Sequence, residues 1–345
     1  MLQELFYWRE HNHYSGRNVY YGMITDMLIY ILALDGVFDI GLSSLIDVIT
    51  TANELASLDE VGIHLDMRLV SVSKKIRTSQ GLIVPSVLAA KLPNPDVVLI
   101  PALGSKMPVA LAAALERKEV KEAGTLLRQW AASGALIGTA CTGTFVLAET
   151  GLLDGQQATT SWWLSALFRQ RYPAVMLDES RMLVNSACFT TAGAALAHLD
   201  LALSVVRSCS PSLAALCARY LLIESRASQA VFVIPDHVAH TDAVVERFER
   251  WAREHLAEGF SMSNATKSIG AGERTLGRRI QAVLGKSPLE YFQDLRVERA
   301  VHLLQTSAES IDQIAALVGY SDGTTLRGLL RRKLGKGVRE LREKR

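Results

Sequence analysis

Cysteine is scarce, with four in 345 residues: Cys141, Cys188, Cys209 and Cys217. None stands in a Cys-x-x-Cys pair or at zinc-ligand spacing, so a disulfide scaffold is excluded and no metal or cofactor is expected. Long apolar runs are missing too: Met27–Leu34 and Val97–Leu103 are strand-sized, and a bilayer span needs about 18–20 residues. The opening residues, MLQELFYWREHNHYSG, lack a basic start followed by an apolar stretch, so no secretory signal is expected. A cytoplasmic protein with neither disulfides nor a membrane partner is the expectation. What is abundant is apolar residue, 49% of the chain. That excludes a wholly disordered chain, and the length suits about two domains.

The net charge, only +2 at pH 7, hides a division. Residues 1–240 hold 18 Lys+Arg against 21 Asp+Glu, whereas residues 261–345 hold 16 against 9, a net of +7. A basic C-terminal module on a near-neutral body points to a polyanion, with nucleic acid foremost. A solvated basic face is the competing reading.

Residues 1–24 read as an irregular lead-in and residues 25–223 as an α/β domain. Strands are expected at Met27–Leu34, Asp66–Ser71, Val97–Pro101, Ala135–Thr139 and Met182–Val184. Helical patterns lie between them at Ser44–Leu55, Val120–Ala132 and Trp162–Arg171, with further helices at Ala192–Val206 and Leu213–Ile223. Continuous apolar strands alternating with helices predict a doubly wound, mostly parallel sheet covered on both faces. Periodicity fades over 224–241, which contain Pro235, and a linker is expected there. Residues 242–345 show no strand pattern and repeat internally. Ala265, Leu276, Ile280, Leu284 and Gly285 return fifty residues later as Ala315, Leu326, Leu330, Leu334 and Gly335. Each copy reads as short helix, glycine turn (Gly270, Gly319), longer helix. Ser287-Pro288 opens the helix between them, and Ser310 to Gln313 form a capping box. An all-α domain of two helix-turn-helix units follows.

This half resembles the AraC-type regulator domain over about residues 242–342. The resemblance is carried by Gly270–Ile280 (GAGERTLGRRI), Gly285–Tyr291 (GKSPLEY), Leu295–Ala300 (LRVERA), Ile314-Ala315 and Gly319–Asp322 (GYSD). It implies double-stranded promoter DNA as partner, with the second helix of each unit in the major groove. Helical spacing puts Leu276, Ile280 and Val283 inward. Glu273, Arg274, Gly277 and Arg278, with Arg279 beside them, are left as groove candidates. In the second unit Leu326, Leu329 and Leu330 face inward, leaving Gly323, Thr324, Thr325, Arg327 and Arg331 exposed. Arg331-Arg332-Lys333 suits phosphates better than bases. The family's usual Ser or Thr at the recognition-helix start is Gly272 here, and Leu326, Gly328 and Leu330 replace its aromatics and basic residue. The first unit is therefore the expected base reader.

In the first half, Cys141 follows an apolar strand and precedes the helix pattern GTFVLAE. That is nucleophile-elbow spacing; a buried structural cysteine is the alternative. The run from Cys141 through Gly151–Gly155 (GLLDG) to Ala158-Thr159-Thr160 resembles the class I glutamine-amidotransferase-like superfamily, in its intracellular-protease-type branch, over about residues 26–208. Fused to the AraC-type module, it looks like the GlxA-like family of transcriptional regulators. The resemblance places a catalytic His where Ser161 stands and an acid near Gly41, with Asp39 two residues away. His198 and His64 are the remaining bases to consider, the one read as part of a helix face and the other as loop surface. Ligand sensing at the carboxyl ends of the strands is thus expected in place of catalysis. Its candidate residues are Asp39, Cys141, Thr142, Ser161 and Trp162, with the helix start at Gly143 offering N–H groups to a carboxylate. Trp162 as ordinary core is the competing reading. The resemblance implies an amino-acid or amine-type effector. A homodimer, associating through helices such as Ala192–Val206, and contact of an activator with RNA polymerase complete the expected partners. A cysteine hydrolase with an accessory nucleic-acid domain, and an effector-free architectural DNA binder, are the other readings.

Overall fold

The computed structural model describes residues 26–58, 62–224, 226, 228–229 and 242–342. The lead-in expected at 1–24 and most of the linker expected at 224–241 lie outside the described residues. The chain divides into two compact units, Met1–Ser161 with Ala174–Arg226 and Trp162–Pro173 with Ala227–Arg345.

The first unit begins β1 (Asp26–Leu32), α1 (Asp39–Leu58), β2 (His64–Ser71), β3 (Lys75–Arg77), β4 (Ile83–Pro85), β5 (Val87–Leu88) and β6 (Val97–Ile100). It continues through α2 (Pro108–Leu115), α3 (Lys118–Ala132), β7 (Leu136–Ala140), α4 (Gly143–Ala148) and β8 (Gln157–Ala158). A stretch belonging to the second unit intervenes, with a 3-10 turn at Trp162–Leu164 and α5 (Ser165–Arg171). The first unit then resumes as β9 (Met176–Leu177), β10 (Leu183–Ser186), β11 (Phe189–Ala192), α6 (Ala197–Cys209) and α7 (Pro211–Tyr220).

Seven strands form one sheet in the order β10-β11-β7-β6-β1-β2-β5. Only β10, paired with β11, runs antiparallel. The alternation of β1 explains why its sequence has no polar face. Met27, Ile29 and Ile31 enter a core with Leu45 and Ile49 of α1 and Leu201 and Val206 of α6. Tyr30, on the other face, meets Trp130 of α3 edge-on at 5.8 Å. Both faces are covered by helices, the flavodoxin-like arrangement in which parallel strands read as unbroken apolar runs.

The helix expected at Ala192–Val206 starts five residues later. Phe189–Ala192 is a strand, paired with β7 on one side and β10 on the other. Small apolar residues there fit either period, and two ladders of backbone hydrogen bonds decide for strand. Of this helix, Leu201, Ala202 and Val206 are fully buried inside the unit, while Arg207 and Ser208 are exposed. The last helix of the unit is Pro211–Tyr220 rather than Leu213–Ile223, with Ser210 capping the Leu213 N–H.

The second unit continues with α8 (Ala243–Glu254), α9 (Met262–Ile269), α10 (Glu273–Leu284), α11 (Pro288–Thr306), α12 (Ile311–Leu317), α13 (Gly323–Leu334) and α14 (Val338–Arg342). The internal repeat folds as two small cores, one around Leu276 and Ile280 and one around Leu326 and Leu330. Helix α11 serves both, giving Tyr291, Phe292 and Leu295 to the first and Val297, Ala300 and Leu304 to the second. Arg296 sits at the changeover: its Nε and Nη2 donate to Leu256 O at 2.9 and 2.7 Å, and its guanidinium lies 5.1 Å from the Tyr320 ring. Among the described residues no helix is long and apolar enough to cross a membrane.

Candidate functional site

Three turns meet at the carboxyl edge of the parallel strands. Phe38 N–H donates to Ala102 O (2.8 Å) and Gly104 N–H to Gly36 O (2.7 Å), joining the turns after β1 and β6. Thr142 Oγ1 donates to Leu103 O (2.8 Å), bringing in the turn after β7. Here Cys141 takes φ +58°, a left-handed conformation that costs a non-glycine residue about 1–2 kcal/mol. The next helix nests tightly: a Cβ on Gly143 would stand 2.6 Å from Ile100 O.

Cys141 is held on every side. Its N–H donates to Ala192 O (3.0 Å), its carbonyl accepts from Thr160 Oγ1 (2.7 Å), and its Sγ lies 2.8 Å from Ser161 Oγ. Burial pushes the thiol pKa up; hydrogen bonds from Ser161 and Thr142 and the charge of Lys106 oppose this without reversing it. The sulfur is therefore a neutral thiol at pH 7. Thr139, Thr142, Thr144, Thr159, Thr160, Ser161 and Thr191 are all buried, so hydroxyls rather than titrating groups dominate this region. The helix start offers less than its sequence suggests. α4 has only six residues, and the Thr144 and Phe145 N–H groups already bond Cys141 O and Thr142 O.

His198 is not a substitute base. The Ala102 N–H donates to its Nε2 (3.0 Å), so Nδ1 carries the proton and donates to Ala195 O (2.5 Å). Fully buried, the ring has its pKa lowered to about 4 because burial penalises the cation. It also fills the slot where the resemblance expects an acid: a Cβ on Gly41 would stand 2.6 Å from Nε2. His64 opens β2 and is exposed, at the end of the strand opposite the carboxyl edge. Asp39 opens α1, its Oδ2 accepting from Ser79 Oγ (2.7 Å) and Gln80 N–H (3.1 Å). Burial raises its pKa, but hydrogen bonds from the 78–80 turn outweigh this and leave the carboxyl below its ordinary value.

The structure thus gathers Cys141, Thr142 and Ser161. Trp162 packs against the Leu276–Ile280 core of the second unit. Sequence reasoning missed Lys106, whose Nζ lies 4.9 Å from the Phe38 ring centre and whose charge is felt at Cys141. Its place just past the carboxyl end of the β6 strand was the available signal.

In the second unit Glu273, Arg274, Arg278 and Arg279 are exposed on α10, and Val283 is half-buried. Arg279 is engaged, however, by Asp242 at 3.2 Å, the same carboxylate that caps α8. Gly272 begins α10 without a side-chain cap, whereas Asp322 caps α13 by accepting from Thr325 N–H (2.8 Å) and Thr325 Oγ1 (3.0 Å). Thr324, Thr325, Arg327, Arg331 and Arg332 are exposed. Two candidates need correction. Gly323 is buried, with room for no side chain beside Asp312 and Ile311. Lys333 pairs with Asp294, which also holds Lys286 at 3.1 Å, so it is not a spare cation.

A model of the DJ-1/PfpI family matches residues 27–208, and one of a helix-turn-helix domain matches residues 265–344. The HTH-type transcriptional regulator GbdR of Pseudomonas aeruginosa is 26% identical over 294 residues, 84% of this chain and 77% of that protein. The HTH-type transcriptional regulator ArgR of the same organism is 29% identical over 238 residues, 64% of this chain and 68% of that protein. A solved AraC family transcriptional regulator from Pseudomonas putida is 20% identical, with a TM-score of 0.47 over 56% of this chain and 98% of its own. The chain belongs to the DJ-1/PfpI family and joins that domain to a helix-turn-helix domain, as a DNA-binding transcriptional regulator.

Proposed function

We propose that the DJ-1/PfpI unit of this regulator senses a small metabolite beside Cys141 without transforming it, and that the helical unit answers by changing its grip on promoter DNA. The observation that carries this reading is the company of the thiol. Ser161 Oγ lies 2.8 Å from Sγ, where a base would have to stand, and His198 spends both ring nitrogens on backbone groups. A thiol with no base is a poor nucleophile at pH 7, and losing a general base costs about 10²–10⁴ in rate. Lys106 adds a cation suited to a carboxylate, which fits an amino-acid effector or a carboxylated amine. The setting is a cytoplasmic homodimer that activates through RNA polymerase, the effector acting only by its differential affinity for the DNA-bound and free arrangements.

The test is a thermal-shift screen of the full chain against amino acids and amines, followed by promoter binding with each stabilising compound. Stabilisation together with altered DNA affinity, and an unchanged compound at the end of incubation, is the expected result. Turnover of an amide or dicarbonyl substrate that disappears in Cys141→Ala would overturn the sensor reading in favour of a cysteine enzyme, for which the retained φ +58° elbow is the one favouring observation. Absence of any ligand effect on DNA binding would favour an architectural binder.

A further inference from the structure

The two helix-turn-helix units repeat each other's plan, yet they differ at the glycine that ends each longer helix. Gly285 and Gly335 end α10 and α13 in the same left-handed conformation, φ +66° and +68°. Around Gly335 a Cβ would meet nothing within 4 Å. At Gly285 it would stand 2.4–2.7 Å from Nε, Cζ and Nη2 of Arg169, so a guanidinium lies directly on the end of the first recognition helix. That is the end where a helix carries partial negative charge and where a cation is favourable.

Arg169 arrives there on a short stretch with a second anchor. It belongs to α5, which packs along α10 within the helical unit. Seven residues earlier Trp162 packs against the same unit's core, with Trp163 edge-on to it at 5.5 Å. The residue immediately before Trp162 is Ser161, bonded to Cys141 Sγ, and Thr160 before that holds the Cys141 carbonyl. Eight residues of chain therefore connect a hydrogen bond at the thiol to a charge on α10. The stretch is stiffened by the 3-10 turn and α5 along the way.

We propose that residues 161–171 couple the Cys141 site to the first recognition helix, with Arg169 as the residue that positions α10. A ligand that displaces Ser161 from the thiol pulls on Trp162 and shifts α5 against α10. Helix α10 has twelve residues, a rod of about 18 Å, so a displacement at Gly285 tilts the far end that carries Glu273 and Arg274. The second recognition helix has no such brace among the described residues, so the coupling acts on one unit and leaves the other as a constant anchor. This deepens the sensor reading and rests on it for its biological meaning.

The experiment needs no effector. Full-length protein and the variants Ser161→Ala, Arg169→Ala, their double and Arg169→Lys are compared for affinity to a DNA fragment selected by the wild type from a random pool. Each alanine variant is expected to change affinity by about threefold or more, the double by no more than the larger single, with Arg169→Lys close to wild type. Hydrogen exchange is expected to rise across 273–285 in Ser161→Ala and to stay constant across 323–334, a pattern that a general loss of stability would not give. Effects that multiply in the double variant, or exchange that rises equally in both recognition helices, would overturn the coupling. A screen that finds no ligand bears on the sensor reading instead, because the cycle between Ser161 and Arg169 is measured without one.

Discussion

At the scale of single residues, His198 is the most consequential group of the first unit, and it acts by being neutral. Its ring joins Ala102 to Ala195 and occupies the space that a side chain at Gly41 would need. The folded pKa of about 4 lies below the ordinary 6.5. Between those values the unfolded chain binds the proton and the folded chain does not. The stability linked to this site is therefore complete above about pH 6.5 and declines as pH falls toward 4. A gap of this size corresponds to about 3 kcal/mol in all, most of it already lost at pH 4.5. Urea unfolding of the wild type and of His198→Gln at pH 7 and pH 4.5 measures it. The wild type is expected to lose about 2–3 kcal/mol more than the variant on acidification. Equal losses would mean that the ring is not the titrating group.

At the scale of elements, the helical unit is organised by what crosses α11, and Gly319 is where that crossing is tightest. Its φ is +80°, and a Cβ there would stand 2.2 Å from Arg296 Nη2 and 2.4 Å from Leu256 O. Gly319→Ala should therefore cost the left-handed strain and also break the Arg296 bridge, about 2–4 kcal/mol together. Gly335→Ala, with open space around it, should cost only the strain, about 1–2 kcal/mol. Chemical denaturation of the two variants separates conformation from contact, and equal destabilisation would show that the Arg296 contact is dispensable. Elements of this kind were legible to different degrees. The long strands and the fifty-residue repeat announce themselves because burial on fixed faces imposes a period. Strands of two or three residues, such as Lys75–Arg77 and Val87–Leu88, carry too few positions for any period to register. At the candidate site, Cys141 could be found from strand–turn–helix spacing, and Ser161 from the resemblance that places a histidine there. The roles of His198 and Lys106 could not, because their partners come from other loops and only the fold brings them together.

At the scale of the whole molecule, the small net charge resolves into a basic module whose cations are not all available. Arg279 is balanced by Asp242, and Lys333 shares Asp294 with Lys286. Arg274, Arg278, Arg331 and Arg332 are exposed on the two recognition helices. Availability, rather than sequence position, should then decide each residue's part in DNA binding. If about six phosphates are neutralised, log affinity of the full chain falls against log salt with a slope near −5. Arg332→Ala is expected to weaken all DNA sequences alike and to flatten that slope by about one. Arg274→Ala is expected to cost about 1–3 kcal/mol at one base pair, relaxing preference there while the slope barely moves. Lys333→Ala separates this view from simple charge counting. Its charge is already matched by Asp294, and removing it frees a carboxylate beside Lys286. The slope should stay nearly unchanged while affinity drops only modestly. A slope that falls as far for Lys333→Ala as for Arg332→Ala would mean that DNA breaks the Asp294 pair, and that the module binds with every cation it carries.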